Sequence, residues 1–141
     1  MKRIESQVKH ISYPQERVYA KVSDLNNLQI LADNLPSQND YNVKLKNFHC
    51  TENTAECDIS PVGHISLAIV AREPFKCVKM ETLQSPVSMT VWIQIVSTGD
   101  ESCKIRITLD ADLNLIMAKM IEKPMTQAVE RLADMLSMIS Y

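Results

Sequence analysis

The chain has 141 residues, of which 45% are hydrophobic and 23% are charged, and its formal net charge is -2. This composition is typical of one globular domain with a single apolar core, so one domain over residues 1–141 is expected. The slightly acidic balance disfavours nucleic-acid binding, and no run of about 18 apolar residues predicts an integral membrane segment. We therefore expect a cytoplasmic protein.

The first predicted elements are one strand and two short helices. Residues 3–11 alternate weakly between apolar and polar side chains, which predicts a strand. A helix is predicted over residues 14–22, with a proline near its first position. Ser23 begins a capping sequence for a second short helix to about Leu35, where Pro36 prevents continuation.

From Tyr41 the hydrophobic period changes from about 3.6 to 2, which indicates strands. Six strands follow, separated by short turns that contain prolines and the two glycines, so a meander is predicted. Together with the first strand this makes a sheet of about seven antiparallel strands. The positions that alternate on one face of these strands, all apolar except Thr82, are Val43, Leu45, Ala55, Cys57, Ile59, Ile65, Leu67, Ile69, Ala71, Val78, Met80, Thr82, Met89, Val91, Ile93, Ile95, Cys103, Ile105, Ile107 and Leu109.

The last quarter, residues 115–141, predicts one long amphipathic helix that is rich in methionine. Its apolar stripe consists of Ile121, Met125, Ala128, Leu132, Met135 and Ile139, at alternating steps of four and three. This stripe needs an apolar partner surface, and a strongly twisted sheet offers its concave face. The predicted fold is therefore α+β, with the sheet curved around the last helix.

The order of these elements resembles that of the START-like (SRPBCC) superfamily, which has the helix-grip fold and includes polyketide cyclases and lipid-transfer domains. The local match is best in ISYPQERVYAKVSDLNNL, residues 11–28, where a strand leads through a proline turn into two short helices. The resemblance covers nearly the whole chain. It implies a cavity between sheet and last helix that receives a hydrophobic small molecule or lipid, and it carries over no catalytic residue.

The strand phases then select a candidate lining for such a cavity. Eight residues share the apolar phase of the central strands, and four face them from the last helix. These ligand-binding candidates are Leu67, Ile69, Val78, Met80, Val91, Ile93, Ile105, Ile107, Met117, Ile121, Met125 and Ala128. A solid core explains the same phases equally well, so both interpretations stay open.

Residues that carry chemistry are few. The three histidines are far apart and no catalytic motif accompanies them, so no catalytic residue is predicted. A zinc site made of His49, Cys50 and Cys57 is disfavoured because adjacent strand residues point to opposite faces. No cofactor or metal is predicted, and the four cysteines, which include no CxxC pair, are expected to be reduced thiols.

Trp92 presents a separate question. It shares its phase with Thr90 and Gln94, which predicts the outer face of the sheet. There it either belongs to a homodimer contact or is partly covered by long neighbouring side chains. An even-length turn between the last two strands would instead place Trp92 in the pocket.

The leading hypothesis is a protein that binds a hydrophobic small molecule or lipid without catalysis. A cyclase- or dehydratase-like enzyme is the first alternative, and it requires an acid or base inside the cavity. The second is a protein-interaction module whose core is filled by side chains. Whether the protein is an enzyme is left open.

Overall fold

The computed structural model describes residues 2–28, 44–60, 63–139 and 141. A helical turn at residues 26–28 lies where the second short helix is predicted to begin; the rest of that helix and the predicted start of the next strand at Tyr41 lie outside the described residues. The other elements are β1 (Lys2–Glu5), β2 (Lys9–Ile11), α1 (Gln15–Val22), β3 (Lys44–Cys50), β4 (Thr54–Ser60), β5 (Gly63–Glu73), β6 (Cys77–Gln84), β7 (Met89–Gly99), β8 (Ser102–Ala111) and α2 (Leu115–Ser137).

The described strands form one antiparallel sheet in the order β1-β8-β7-β6-β5-β4-β3, and β2 also pairs with β8. The run from β3 to β8 is the predicted six-stranded meander. The longest pairing joins β7 and β8, from Met89 opposite Ala111 to Gly99 opposite Ser102. With α2 packed against β8, β1 and β2, the predicted α+β helix-grip architecture is confirmed.

The prediction of one continuous strand over residues 3–11 is wrong. The strand is divided into β1 and β2, and both parts pair with β8. At the break, the Ser6 hydroxyl accepts a hydrogen bond from the backbone N–H of Ile107 at 2.9 Å. Because the side chain takes the place of a backbone acceptor, the regular ladder is interrupted there.

The long helix α2 is capped at its N-terminus by Asn114, whose side-chain oxygen accepts a hydrogen bond from the backbone N–H of Met117 at 2.8 Å. This is an ordinary N-cap. The helix ends at Ser137 rather than at residue 141. The chain then returns towards the core, where the hydroxyl of the buried Tyr141 donates to the Leu136 carbonyl at 2.6 Å.

The buried face of α2 differs from the predicted stripe. Ala128 and Leu132 are only half-buried, whereas Val129 and Ala133 are buried. Side chains spaced four residues apart form a row that is inclined to the helix axis. The buried face therefore winds around α2, whereas an alternation of steps of four and three would keep it parallel to the axis. The buried residues of α2 are Ile121, Met125, Val129, Ala133, Met135 and Leu136.

Candidate functional site

A cavity of about 130 Å³ lies between the sheet and α2. Its wall includes residues of every strand from β3 to β8, because the curled sheet presents its inward side chains to one face of α2. The lining residues are Leu28, Phe48, Ala55, Glu56, Cys57, Ile59, Ile65, Leu67, Met80, Met89, Val91, Ile107, Leu109, Met125, Ala128, Val129, Leu132 and Met135.

Six of the twelve predicted lining residues are brought together at this cavity. They come from β5, β6, β7, β8 and α2, so the structure places candidates from the sheet and from the helix around one space. These six are Leu67, Met80, Val91, Ile107, Met125 and Ala128.

The other six predicted residues do not line the cavity. Val78, Ile93 and Ile105 are almost completely buried in the part of the core that does not line the cavity. Each lies two positions from a cavity residue on its own strand, namely Met80, Val91 or Ile107. The remaining three, Ile69, Met117 and Ile121, pack against or within the same core.

Several wall residues were not among the predicted set. Ala55, Cys57 and Ile59 share the inward phase of β4, and that phase was the signal for them. The curvature of the sheet brings these three residues to the cavity. The alternation of apolar and polar residues along a single strand does not predict this curvature. Leu28 reaches the wall from the helical turn at residues 26–28, where the second short helix is predicted to begin, and the predicted lining includes no residue of that helix.

Two titratable residues belong to the described wall. Burial raises the pKa of the Cys57 thiol to about 11, with smaller contributions from the charges of Asp58 and Glu56, so the thiol stays protonated at neutral pH. The Glu56 carboxylate is directed to the other face of the sheet, where one oxygen lies 3.6 Å from His64 Nε2. The wall therefore presents a neutral thiol and apolar groups to the cavity.

On that outer face, Asp58 connects three neighbouring strands. Its Oδ2 accepts a hydrogen bond from Asn47 Nδ2 at 2.6 Å, and its Oδ1 lies 2.7 Å from His64 Nδ1. Asn47 has a φ of 55° and lies within a register shift of β3. The cluster thus ties an irregular edge strand to the sheet behind the cavity wall.

This cluster predicts a pH dependence of stability. Bonds from Asn47 and His64 lower the pKa of Asp58, and Asp58 raises the pKa of His64. The stabilisation of the fold by this pair is fully present between the ordinary pKa values of 3.8 for Asp58 and 6.5 for His64. It is lost as the pH falls through the lowered pKa of Asp58, or as the pH rises through the raised pKa of His64. We expect His64→Gln to lower the melting temperature slightly near pH 5, by an amount that shrinks above about pH 8.

Thermal unfolding at several pH values checks this expectation, with His10→Gln on β2 as the control. A decrease for His64→Gln that is the same at pH 5 and pH 8 would contradict the role of the charged pair. The effect is expected to be small because the side chains of His64 and Asp58 are both exposed to solvent.

Trp92 lies on the outer face, as its phase predicts. It pairs with Thr108 across β7 and β8, whereas Ile107 points to the cavity, so the pocket placement of Trp92 is excluded. The guanidinium carbon of Arg3 and the ammonium nitrogen of Lys79 each lie 5.8 Å from its ring centroid. Long neighbouring side chains thus cover part of the ring, and the homodimer contact stays a prediction.

The described residues offer neither a metal site nor a membrane-spanning helix. Across these ranges, no group of three His, Cys, Asp or Glu side chains is arranged to hold a metal ion. His49 is exposed and Cys50 is buried, as expected of neighbours on one strand. None of the helices in the described part of the chain combines the length and apolar character that crossing a membrane requires.

Comparisons with known proteins identify the fold. No protein-family model and no curated protein matches the chain. Among solved structures, a START superfamily protein from Mycobacterium smegmatis matches with 16% identity and a TM-score of 0.67, covering 96% of this chain and 94% of its own. Norcoclaurine synthase from Thalictrum flavum, in complex with dopamine and hydroxybenzaldehyde, matches with 17% identity and a TM-score of 0.70, covering 96% and 84%. A Thermobifida fusca protein matches with 14% identity and a TM-score of 0.66, covering 97% and 91%. The chain therefore has the START-like helix-grip fold.

Proposed function

We propose that the protein binds a small, uncharged hydrophobic molecule in the cavity between the sheet and α2. The observation that carries this proposal is the character of the wall, in which every described side chain except those of Glu56 and Cys57 is apolar. Transfer of apolar surface from water into such a site contributes about 25 cal/mol per Å². The complex of norcoclaurine synthase with dopamine and hydroxybenzaldehyde supports only the binding of a small organic molecule by a chain of this fold, and the uncharged, hydrophobic character of the ligand is inferred from the wall.

The size of the cavity limits the ligand. Its volume of about 130 Å³ is similar to that of engineered apolar cavities of roughly 150 Å³ that stay dry and bind benzene. A molecule of about six to eight non-hydrogen atoms, or one apolar part of a larger molecule, therefore fits within the described walls. A lipid would place only part of an acyl chain there unless the walls move.

The residues of the cavity wall give less support to the two alternative functions, an enzyme and an interaction module. A cyclase- or dehydratase-like enzyme needs an acid or base in the cavity, but the Glu56 carboxylate faces His64 on the outer side and the Cys57 thiol is protonated. An interaction module needs a core filled by side chains, whereas free space lies between the described residues of the sheet and those of α2. We therefore propose ligand binding, and neither catalysis nor protein interaction, as the function of the cavity.

The cytoplasm stays the proposed location. Cys57, Cys77 and Cys103 are thiols and form no disulfide, and burial is the main cause of the raised pKa of each. Thiols of this kind are common in proteins of a reducing compartment.

Thermal unfolding with benzene as the probe tests the proposal. At ten times its dissociation constant, a ligand that binds only the folded state stabilises it by about 1.4 kcal/mol. For a chain of this length, we expect the melting temperature to rise by roughly 3–6 °C. Phenol is of similar shape and serves as the control, and it should bind at least about tenfold more weakly because its hydroxyl would lose water without a strong partner.

Two results would oppose the proposal. If benzene at its solubility limit leaves the melting temperature unchanged, the cavity does not bind small apolar molecules. If phenol stabilises the protein as much as benzene does, the site contains a polar partner that the described wall lacks.

A further inference from the structure

We propose that the cavity selects an aromatic ring over a saturated hydrocarbon of the same carbon number. This inference rests on the proposed function, because it names the ligand class of the same site. The volume of about 130 Å³ limits the bound group to a small ring or a short chain, either as a whole molecule or as one apolar part of a larger one. The chemistry of the wall then distinguishes among molecules of that size.

The wall is unusually rich in sulfur. Four methionines line the cavity, Met80 from β6, Met89 from β7, and Met125 and Met135 from α2. Each is at most 5% exposed, so these side chains belong to the interior. Because the thioethers come from both the sheet and the helix, a bound molecule would meet them on two sides.

Thioether sulfur atoms distinguish an arene from an alkane. An aromatic ring has an electron-rich face and a positive edge, and polarisable sulfur makes favourable contacts with it, often at the edge. A saturated ring has no such charge pattern, so it gains only dispersion and the transfer of its surface from water. Phe48, which also lines the cavity, offers a further ring contact to an aromatic ligand.

The other explanation of these methionines is that they fill irregular space in the core. In that case they would contact benzene and cyclohexane with similar benefit, because flexible chains adapt to either shape. The chain contains matched controls for this comparison. Met120 and Met138 lie on or next to α2 but are 67% exposed and do not line the cavity.

The test measures dissociation constants of benzene and cyclohexane by calorimetry or NMR titration, and it uses the ratio of the two. The cavity variant is Met89→Leu with Met125→Leu, and the control variant is Met120→Leu with Met138→Leu. Leucine conserves volume and apolar character but removes sulfur, so cores tolerate it. We expect the preference for benzene to fall about fivefold in the cavity variant, and to stay within about twofold of wild type in the control.

The outcomes separate this inference from the proposed function. If both hydrocarbons bind and the ratio is the same in all three proteins, the thioethers do not select the ligand and the inference is overturned, whereas the proposed function stands. If neither hydrocarbon binds to the wild-type protein, the proposed function itself fails. Should the cavity variant not fold, Met80→Leu with Met135→Leu provides the same comparison from the other half of the wall.

Discussion

Replacing Ile93 with alanine is expected to lower the free energy of unfolding by about 2–5 kcal/mol. The Ile93 side chain is completely buried and does not line the cavity, and it lies between Val78 of β6 and Ile107 of β8. The three strands are held by their ladders, so they cannot collapse around the missing atoms. The cost therefore includes a new cavity as well as the lost transfer of apolar surface.

The matched control is Leu67→Ala, because Leu67 is half-buried and already borders free space. Its removal enlarges an existing cavity, and we expect a smaller loss, of about 1–2 kcal/mol. Urea unfolding of both variants gives the two free energies. If Ile93→Ala costs less than Leu67→Ala, the distinction between core residues that line the cavity and those that do not is wrong.

Two alanines of α2 test the same distinction by adding volume. Ala133 is completely buried and does not line the cavity, whereas Ala128 is half-buried and does. Phenylalanine at Ala133 has no space, so overpacking should cost about 1–3 kcal/mol or more. At Ala128 the new ring can occupy the cavity, so we expect a loss below about 1 kcal/mol together with the loss of benzene binding.

Urea unfolding and benzene titration of both variants check this pair of expectations. The two substitutions are chemically identical and lie five positions apart on one helix, so helix propensity affects them similarly. A large destabilisation by Ala128→Phe would show that the space near it is filled. Retention of benzene binding in a folded Ala128→Phe protein would place the ligand elsewhere.

Much of the fold follows from local patterns. The change of hydrophobic period near Tyr41 predicts the strands, and the stripe that begins at Ile121 predicts the long helix, because both depend only on neighbouring residues. The break between β1 and β2, in contrast, does not follow from a local pattern. It depends on a hydrogen bond from Ile107 to Ser6, 101 positions apart, and no local pattern records such a contact.

The site was predictable only in part, for a related reason. Val91 and Ile93 share one phase of β7, which shows that both face inward, but only Val91 lines the cavity. Periodicity identifies the face of a strand and does not say where along the strand another element packs. The path of α2 across the sheet decides that, as the burial of Val129 and Ala133 in place of Ala128 shows.

The most direct test of ligand binding is NMR of the protein with ¹³C-labelled methionine methyl groups, titrated with benzene. Met80, Met89, Met125 and Met135 line the cavity and should show saturable shifts, whereas the exposed Met120 and Met138 should not. Shifts confined to the four cavity methyl groups, with one common dissociation constant, are the predicted result. Shifts at Met120 or Met138 alone, or no saturable shift at all, would contradict binding in the cavity between the sheet and α2.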